Sequence, residues 1–213
     1  NYGMDKDKLK DLLMFYSSTE KKLVTLGEYV SRMKENQNTI YYACGESIDK
    51  IDLLPQVDSV KDKGYEILYL SASVDEFVMQ VLQEYDGKKF ANVCADNIDL
   101  ETSEEKEELK KVNEESKDMF NLMKEAINGE VDAIRYTHKL KNHPVCLTSE
   151  GALSIKMEKV INAMPNEEKV KAQTILEINE THPIVEKLKD LYTNNKEELK
   201  EYTKILYAQA RLI

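Results

Sequence analysis

Few residues in this chain of 213 interrupt regular structure, since it contains only 4 prolines and 7 glycines. With a hydrophobic content of 41%, this scarcity disfavours a disordered chain and favours a helix-rich globular one. No apolar run approaches the ~20 residues that a membrane-spanning helix needs. The three cysteines, Cys44, Cys94 and Cys146, form no CxxC pair. Their scattered positions disfavour a disulfide framework or a zinc site and indicate buried thiols in a reducing compartment.

An excess of basic residues is also lacking, because 40 acidic residues outnumber 30 basic ones and the formal net charge is −10. A phosphate backbone or an anionic membrane attracts a basic surface, so the sequence disfavours nucleic acid and membranes as main partners. His138 and His143 do not share a helix face, and His182 lies far from both. Without nearby cysteine or acidic ligands, these histidines do not predict a metal site.

Three β-branched and aromatic segments in the first hundred residues predict strands. They are TIYYAC (39–44), YEILYLS (65–71) and KFANVCA (89–95). Helical patterns separate them, over residues 47–63 and from about residue 73 to Tyr85. Strand–helix–strand–helix–strand with short turns predicts a small three-layer βαβαβ subdomain with a parallel sheet, of the α/β class. No glycine-rich phosphate loop follows any of these strands, which disfavours a dinucleotide-fold or P-loop nucleotide site.

Helix starts are indicated by capping boxes, in which Ser or Thr precedes Glu by three residues. Thr25 with Glu28 predicts the start of one helix, and Ser73 with Glu76 predicts the start of another. A further helix is predicted over residues 5–16 from the spacing of its leucines.

The pattern changes to α+β near residue 100, which we take as the boundary between two domains. A third capping box, Thr102 with Glu105, predicts a long polar helix that ends at Gly129. Three strand-like segments then predict a three-stranded sheet, and two helices close the chain. The strands are predicted at 132–138, 144–149 and 174–179, and the helices at 182–193 and from Lys196 to the end.

The segment GALSIKMEKVINAMP (151–165) places large apolar side chains on one helix face. Leu153, Met157, Val160, Ile161 and Met164 fall at i, i+4, i+7, i+8 and i+11. Burying each would contribute ~1.5–3 kcal/mol, so a core face is the default interpretation. An outward face with flexible Met would instead suit a surface that binds other proteins.

No group of residues predicts a catalytic site. Asp75 and Glu76 could form a carboxylate pair, but Glu76 is already explained as a cap partner. Cys146 could pair with His143 as a nucleophile, but it lies in an apolar strand, where a thiol is usually inert. A small α/β enzyme using Asp75, Glu76 or Cys146 stays open as an alternative.

Four blocks of sequence closely resemble the heat-shock protein 90 family in its bacterial form. LGEYVSRMKENQNTIYYACGES (26–47) matches a specific signature of Tyr-Val-x-Arg-Met-Lys-Glu, Ile-Tyr-Tyr and Gly-Glu-Ser, and KGYEILYLSASVDEFVMQVLQEYDGKKF (63–90) matches the block after it. VDAIRYTHKLKNHPVCLTS (131–149) and ILEINETHPIVEKL (175–188) are similar to the family's C-terminal domain. The resemblance covers nearly the whole chain, in order and without large gaps.

The resemblance implies that residues 1–100 are the end of a middle domain and residues 101–213 a C-terminal dimerisation domain. Family members are cytoplasmic, ATP-dependent chaperones of the stress response that bind non-native client proteins. The ATP-binding N-terminal domain would be absent, so we expect no cofactor and no catalysis in this fragment, with ATP and Mg²⁺ bound by its parent. A chain that begins at Asn1 without Met and stops at Ile213 on apolar residues is expected to be part of a longer one.

The resemblance also assigns site residues. Leu153, Met157, Val160 and Ile161 match a client-binding helix of the family, and in the preceding domain Phe77, with Gln80 one turn later, stands where bacterial relatives carry an aromatic residue, often Trp. Dimerisation in the family uses two helices from each protomer, of which the last helix here matches the first. Its interface positions would be Leu199, Tyr202, Leu206 and Leu212. With the second helix missing, a homodimer would be weak or altered in this fragment.

A purely structural dimerisation module, with the Met-bearing helix buried, is a further alternative. Accessibility of Met157 distinguishes it from a client-binding fragment.

Overall fold

The computed structural model describes residues 5–95, 102–165 and 169–212. Within them the chain divides into two compact units, the first from residues 5–95, 156–165 and 169–170 and the second from residues 102–155 and 171–212. The predicted boundary near residue 100 falls among residues 96–101, outside the described residues. The division into domains at 1–100 and 101–213 stays a prediction; in the structure, residues 156–165 and 169–170 group with the first unit.

A six-stranded mixed sheet organises the first unit, in the order β2-β1-β4-β3-β6-β5. Its three central strands, β4, β3 and β6, are parallel, and antiparallel strands flank them on both sides. The strands are β1 Met14–Ser17, β2 Leu23–Thr25, β3 Thr39–Cys44, β4 Ile67–Leu70, β5 Glu84–Tyr85 and β6 Lys88–Asn92. The predicted parallel βαβαβ core is therefore present, and the three antiparallel strands were not predicted.

Among the described residues of the first unit, one helix precedes β1, four lie between the strands, and a sixth lies in the returning segment. They are α1 Lys6–Leu9, α2 Leu26–Ser31, α3 Ile48–Asp52, α4 Pro55–Asp62, α5 Asp75–Leu82 and α8 Ile155–Ala163. The predicted helix over 5–16 is wrong in its second half, because a short 3₁₀ turn ends at Leu12 and Met14 begins β1. Strand β1 pairs with both β2 and β4, and these strand pairings override the helical spacing of its residues.

Strands β3 and β4 are buried on both faces, as crossover connections require, whereas β6 is only partly covered. Ile40, Tyr42, Leu68 and Leu70 pack with α2 and α5 in one apolar cluster. Ile67 and Tyr69 alternate with the β4 members of that cluster and lie on the opposite face, where α3 and α4 contact β4. The β3-to-β4 connection and the β4-to-β6 connection thus cover opposite faces of the sheet.

The second unit packs helices on one face of a three-stranded sheet in the order β7-β9-β8, with β7 parallel and β8 antiparallel to β9. This sheet was predicted. The strands are β7 Ala133–Thr137, β8 Val145–Glu150 and β9 Gln173–Asn179, and the helices are α6 Ser103–Glu115, α7 Lys117–Ala126, α9 Ile184–Asn194 and α10 Lys196–Leu212. The single long helix predicted from Thr102 is in fact two helices, because the helical geometry is interrupted at Ser116.

A buried apolar core joins the four helices to that sheet. Asn113 fixes α6 to β7, since its side chain donates to the Tyr136 carbonyl at 3.2 Å and accepts from the Tyr136 N–H at 2.7 Å. The Tyr136 ring meets Phe120 of α7 edge to face, with 4.9 Å between ring centroids. The core includes Met119, Phe120, Met123, Ile134, Tyr136, Val145, Leu176, Ile178, Leu188, Leu199 and Leu206.

Candidate functional site

The apolar segment over 151–165 forms a shorter helix than its spacing predicts. Leu153 precedes α8 and belongs to the second unit, whereas Met157, Val160 and Ile161 lie on α8 in the first. Met157 is buried, at 4% exposure, and Val160 and Ile161 are half-buried. Met164, just past the helix, is 51% exposed. One face of α8 is therefore partly core and partly surface, and neither interpretation of the spacing applies to all five side chains.

Two of the predicted client-binding positions meet, although 77 residues separate them in the chain. The Gln80 side chain on α5 donates from Nε2 to the Met157 sulfur at 3.1 Å. Phe77, one turn earlier on α5, is half-buried. The structure thus brings one residue of α5 and one of α8 into contact within the first unit.

Lys156, which the sequence did not single out, anchors the start of α8. Its ammonium nitrogen lies 3.0 Å from the Gly45 carbonyl oxygen, 3.0 Å from that of Leu70 and 3.5 Å from that of Ala72. Gly45 follows β3 and Leu70 ends β4, so these oxygens lie at the carboxyl ends of two neighbouring parallel strands. An ammonium group has three N–H donors, and here three acceptors surround it.

Two apolar residues on or beside α5 are also exposed, and neither was predicted as a site residue. Val74, the residue before the helix, is 63% exposed, and Val81 on the helix is 48% exposed. The signal that could have found them is the run of aliphatic residues in SVDEFVMQVL (73–82), which is too apolar for a helix with only one buried face. Both are accessible apolar side chains on or beside α5.

Residues proposed for the enzyme alternative have structural partners. Glu76 is 2% exposed and accepts a hydrogen bond from the Asn92 amide at 2.8 Å, and Asp75 accepts from the Ala72 N–H at 2.9 Å. The predicted Ser73–Glu76 capping box is wrong, because α5 begins without a side-chain cap and Glu76 turns inward to the sheet. Cys146 is fully buried in β8 of the second unit.

The three thiols form no disulfide, and two of them flank Glu76. Burial, with the negative charge of Glu76 as a further cause, raises the pKa of the Cys94 thiol to about 12. The same two causes, in the same order, raise the pKa of the Cys44 thiol above its ordinary value. A thiol is nucleophilic only as its thiolate, so neither group is poised for catalysis at neutral pH.

Cys44 and Cys94 should therefore react slowly with a thiol reagent in the folded protein. Because an ordinary thiol has a pKa near 8.5, the thiolate fraction of Cys94 at pH near 7 is lower on the order of a thousandfold. Colour release from Ellman's reagent, followed with and without urea, measures this. Slow reaction that becomes fast on unfolding is the expected result. Rapid labelling of either cysteine in the native protein would show a reactive thiol and would revive the enzyme alternative.

The four predicted interface positions on α10 divide into two pairs. Leu199 and Leu206 are 0% and 4% exposed and belong to the core of the second unit, so they are not accessible to a second chain here. Tyr202 is half-buried, and Leu212 is 88% exposed. Ile205, which was not predicted, is 63% exposed on the same helix. An outward stripe on α10 therefore consists of Tyr202, Ile205 and Leu212.

Within residues 5–95, 102–165 and 169–212, no group of three or more His, Cys, Asp and Glu side chains could hold a metal ion. Among the helices in that part of the chain, none is long and apolar enough to cross a membrane.

Comparisons with known proteins give consistent results along the whole chain. The sequence profile of the family described as "Hsp90 protein" matches residues 3–213. The chain is similar to proteins named "Chaperone protein HtpG", at 53% identity for that of Clostridium acetobutylicum, 51% for Clostridium perfringens and 47% for Bacillus subtilis. Each comparison covers 100% of this chain and 34% of the relative. The chain thus spans about a third of the length of the curated relatives it matches.

Proposed function

This chain belongs to the Hsp90 family, and we propose that it is a fragment of a cytoplasmic, ATP-dependent chaperone that binds and remodels non-native client proteins. In this proposal, residues before the boundary near 100 are the end of the middle domain, and later residues form the C-terminal dimerisation domain. ATP and Mg²⁺ bind to a part of the parent outside this chain. The fragment contributes client-binding surface and part of the homodimer interface, and it has no catalysis of its own.

The observation that carries the client-binding proposal is the accessible apolar surface of α5 and α8 in the first unit. Val74, Val81 and Met164 are 63%, 48% and 51% exposed, and Phe77, Val160 and Ile161 are half-buried. A contiguous exposed apolar patch built from such side chains would mark an interaction surface. Aliphatic and thioether side chains adapt to many partner shapes, which suits weak binding of diverse unfolded chains.

Two of the expected client-binding residues need separate treatment. Met157 is buried and contacts Gln80 of α5. This burial is what the alternative of a purely structural dimerisation module predicts. We propose that Met157 reaches clients only when α8 lifts from the first unit. Leu153 lies before α8, in the second unit, and is half-buried; its role stays a prediction from the resemblance alone.

Client binding is tested with a fluorescently labelled, permanently unfolded protein, whose anisotropy reports its binding to this chain. Replacing Phe77 and Ile161 together with Ser should weaken binding about fivefold or more, because it removes two large apolar side chains from the α5–α8 surface. Both positions are half-buried, so some stability is lost as well, and binding is measured where circular dichroism shows that the variant is still folded.

Leu53→Ser is the matched control. Leu53 is 74% exposed and lies between α3 and α4, on the other face of the sheet. The Leu53→Ser change removes a comparable apolar side chain at a site distant from the proposed surface, and it should leave client affinity unchanged. If Leu53→Ser weakens binding as much as the double change, or if neither variant alters it, clients do not bind at α5 and α8.

The partner proposed for α10 is a second copy of the parent protein, in a homodimer. We propose that the outward stripe of Tyr202, Ile205 and Leu212 faces the second protomer, whereas Leu199 and Leu206 keep α10 in its own unit. The exposure of Ile205 and Leu212, at 63% and 88%, supports this division.

A further inference from the structure

The carboxyl ends of β3 and β4 form the kind of crevice in which α/β sheets bind ligands. The chain leaves β3 for α3 and α4 on one face of the sheet, and it leaves the neighbouring β4 for α5 on the other face. Where neighbouring parallel strands send their connections to opposite faces, a crevice opens beyond the strand ends. In the first unit this place is occupied by a side chain of the same chain, Lys156.

The contacts of Lys156 in this crevice are those of a bound cation. Carbonyl oxygens of Gly45, Leu70 and Ala72 lie 3.0, 3.0 and 3.5 Å from its ammonium nitrogen. Hydrogen bonds from a charged donor are stronger than neutral ones, and three of them hold the position of a compact ammonium group. Because all three acceptors are backbone atoms of the sheet ends, the sheet itself builds the site.

The next residue contributes an apolar contact beside the ammonium site. Met157 is 4% exposed, and its sulfur accepts a hydrogen bond from Gln80 of α5 at 3.1 Å. The strand ends therefore hold a lysine, and α5 contacts the long apolar side chain that follows it. Val160 and Ile161, further along α8, stay half-buried.

The segment that carries these two residues is closed on itself. Asn162 donates to the Val170 carbonyl at 2.8 Å and accepts from the Val170 N–H at 2.9 Å. The chain on either side, up to Ile155 and from Lys171, belongs to the second unit. Asn162 thus ties the last turn of α8 to Val170, and α8 could leave the crevice without unpairing a strand of the sheet.

We propose that the crevice at the carboxyl ends of β3 and β4 is a docking site for extended or helical client segments in which a lysine precedes a large apolar residue, and that α8 occupies it in cis. This inference rests on the proposed function for the identity of its natural occupant. It adds the chemistry that the site selects and a competitor within the chain. A tethered occupant acts at an effective concentration in the millimolar range, so only segments that bind well, or are present at high local density, displace it.

A labelled peptide of sequence LSIKMEKVINAMP, which reproduces residues 153–165, tests the docking site in trans. Lys156→Met in the protein removes the ammonium group and keeps a long apolar side chain, so α8 loses its three carbonyl contacts and competes less well for the crevice. The peptide should bind the Lys156→Met protein about tenfold or more tightly than it binds the unchanged protein, since cis competition is weakened. A second peptide with norleucine in place of its first lysine should bind that variant about tenfold more weakly.

Lys159→Met is the matched control. Lys159 lies on the same helix and is exposed, so this change removes one charge without touching the crevice. It should leave peptide binding as in the unchanged protein. Equal affinity of the peptide for the unchanged and Lys156→Met proteins would overturn cis occupancy. Equal affinity of the two peptides for the Lys156→Met protein would overturn the ammonium site.

Hydrogen exchange on the unchanged protein covers the case in which Lys156→Met fails to fold. Saturating LSIKMEKVINAMP should remove amide protection from residues 157–163 while β3 and β4 keep theirs. Protection of α8 that persists with the peptide bound would overturn the proposal. The outcome is independent of the client assay: normal peptide competition with unaltered client binding by the Phe77/Ile161 double variant would refute the proposed client surface and leave the crevice intact.

Discussion

Replacing Arg135 with Met should destabilise the second unit by about 3 kcal/mol, because it leaves the carboxylate of Glu177 buried without its cation. Glu177 is 1% exposed on the central strand β9, and its register partner on β7 is Arg135. The Arg135 guanidinium donates to the same Glu177 oxygen from Nη2 at 2.7 Å and from Nε at 3.2 Å. Arg135 itself is 28% exposed, which places the expected loss at the lower end of the range for broken buried pairs.

Urea unfolding followed by circular dichroism measures this loss. Lys200→Met is the matched control, since Lys200 pairs with Glu197 on the surface of the same unit, where the two side chains are 34% and 83% exposed. That change should alter the free energy of unfolding by less than about 0.5 kcal/mol. The double variant Arg135→Met/Glu177→Met should recover most of the lost stability, because an apolar pair no longer requires a counter-charge. If Arg135→Met unfolds at the same urea concentration as Lys200→Met, water solvates the Glu177 carboxylate and the pair is not a buried one.

Local signals in the sequence were reliable where the partner atoms lie within one turn. The capping boxes of Thr25 with Glu28 and of Thr102 with Glu105 are both present, with the reciprocal hydrogen bonds that the motif requires. The third, Ser73 with Glu76, has the same spacing and is absent. Glu76 instead bonds Asn92, which is 16 residues away in the chain and beside it only in the folded sheet. A buried amide therefore displaced the local cap.

Strand pairing explains the elements that the sequence did not predict. The segment Met14–Ser17 has helical spacing with its neighbours, yet it forms β1 because β2 and β4 supply its hydrogen-bond partners. Glu84–Tyr85, predicted as the end of a helix, pairs instead with β6. In both cases the partner strand lies elsewhere in the chain, and propensity within a short window cannot report it.

The candidate site was predicted in part. Side chains with a periodic apolar pattern were found on α8, and the resemblance added Phe77 and Gln80, of which Gln80 does contact Met157. Lys156 was missed because its partners are the carbonyls of Gly45, Leu70 and Ala72. Every residue has a carbonyl, so a site built from backbone atoms has no side-chain signature, and only the order of the strands brings these three together.

Truncating Leu206 to Ala should cost about 2–5 kcal/mol of unfolding free energy, because Leu206 is 4% exposed in the core of the second unit. Truncating Leu212, on the same helix and 88% exposed, should change that free energy by less than about 0.5 kcal/mol. The two changes remove identical groups from one helix. Any difference between them therefore reports which side of α10 packs within its own chain.

Protein concentration decides between core and interface. A loss that comes from the core is the same at every concentration, whereas a loss that comes from a dimer interface varies with it, because association stabilises by mass action. Urea unfolding of Leu206→Ala should therefore give one midpoint across a wide range of concentrations, and Leu212→Ala should act on association alone, as measured by sedimentation. A midpoint for Leu206→Ala that rises with concentration would place Leu206 between protomers, and α10 would then have to turn its buried face outward in the dimer.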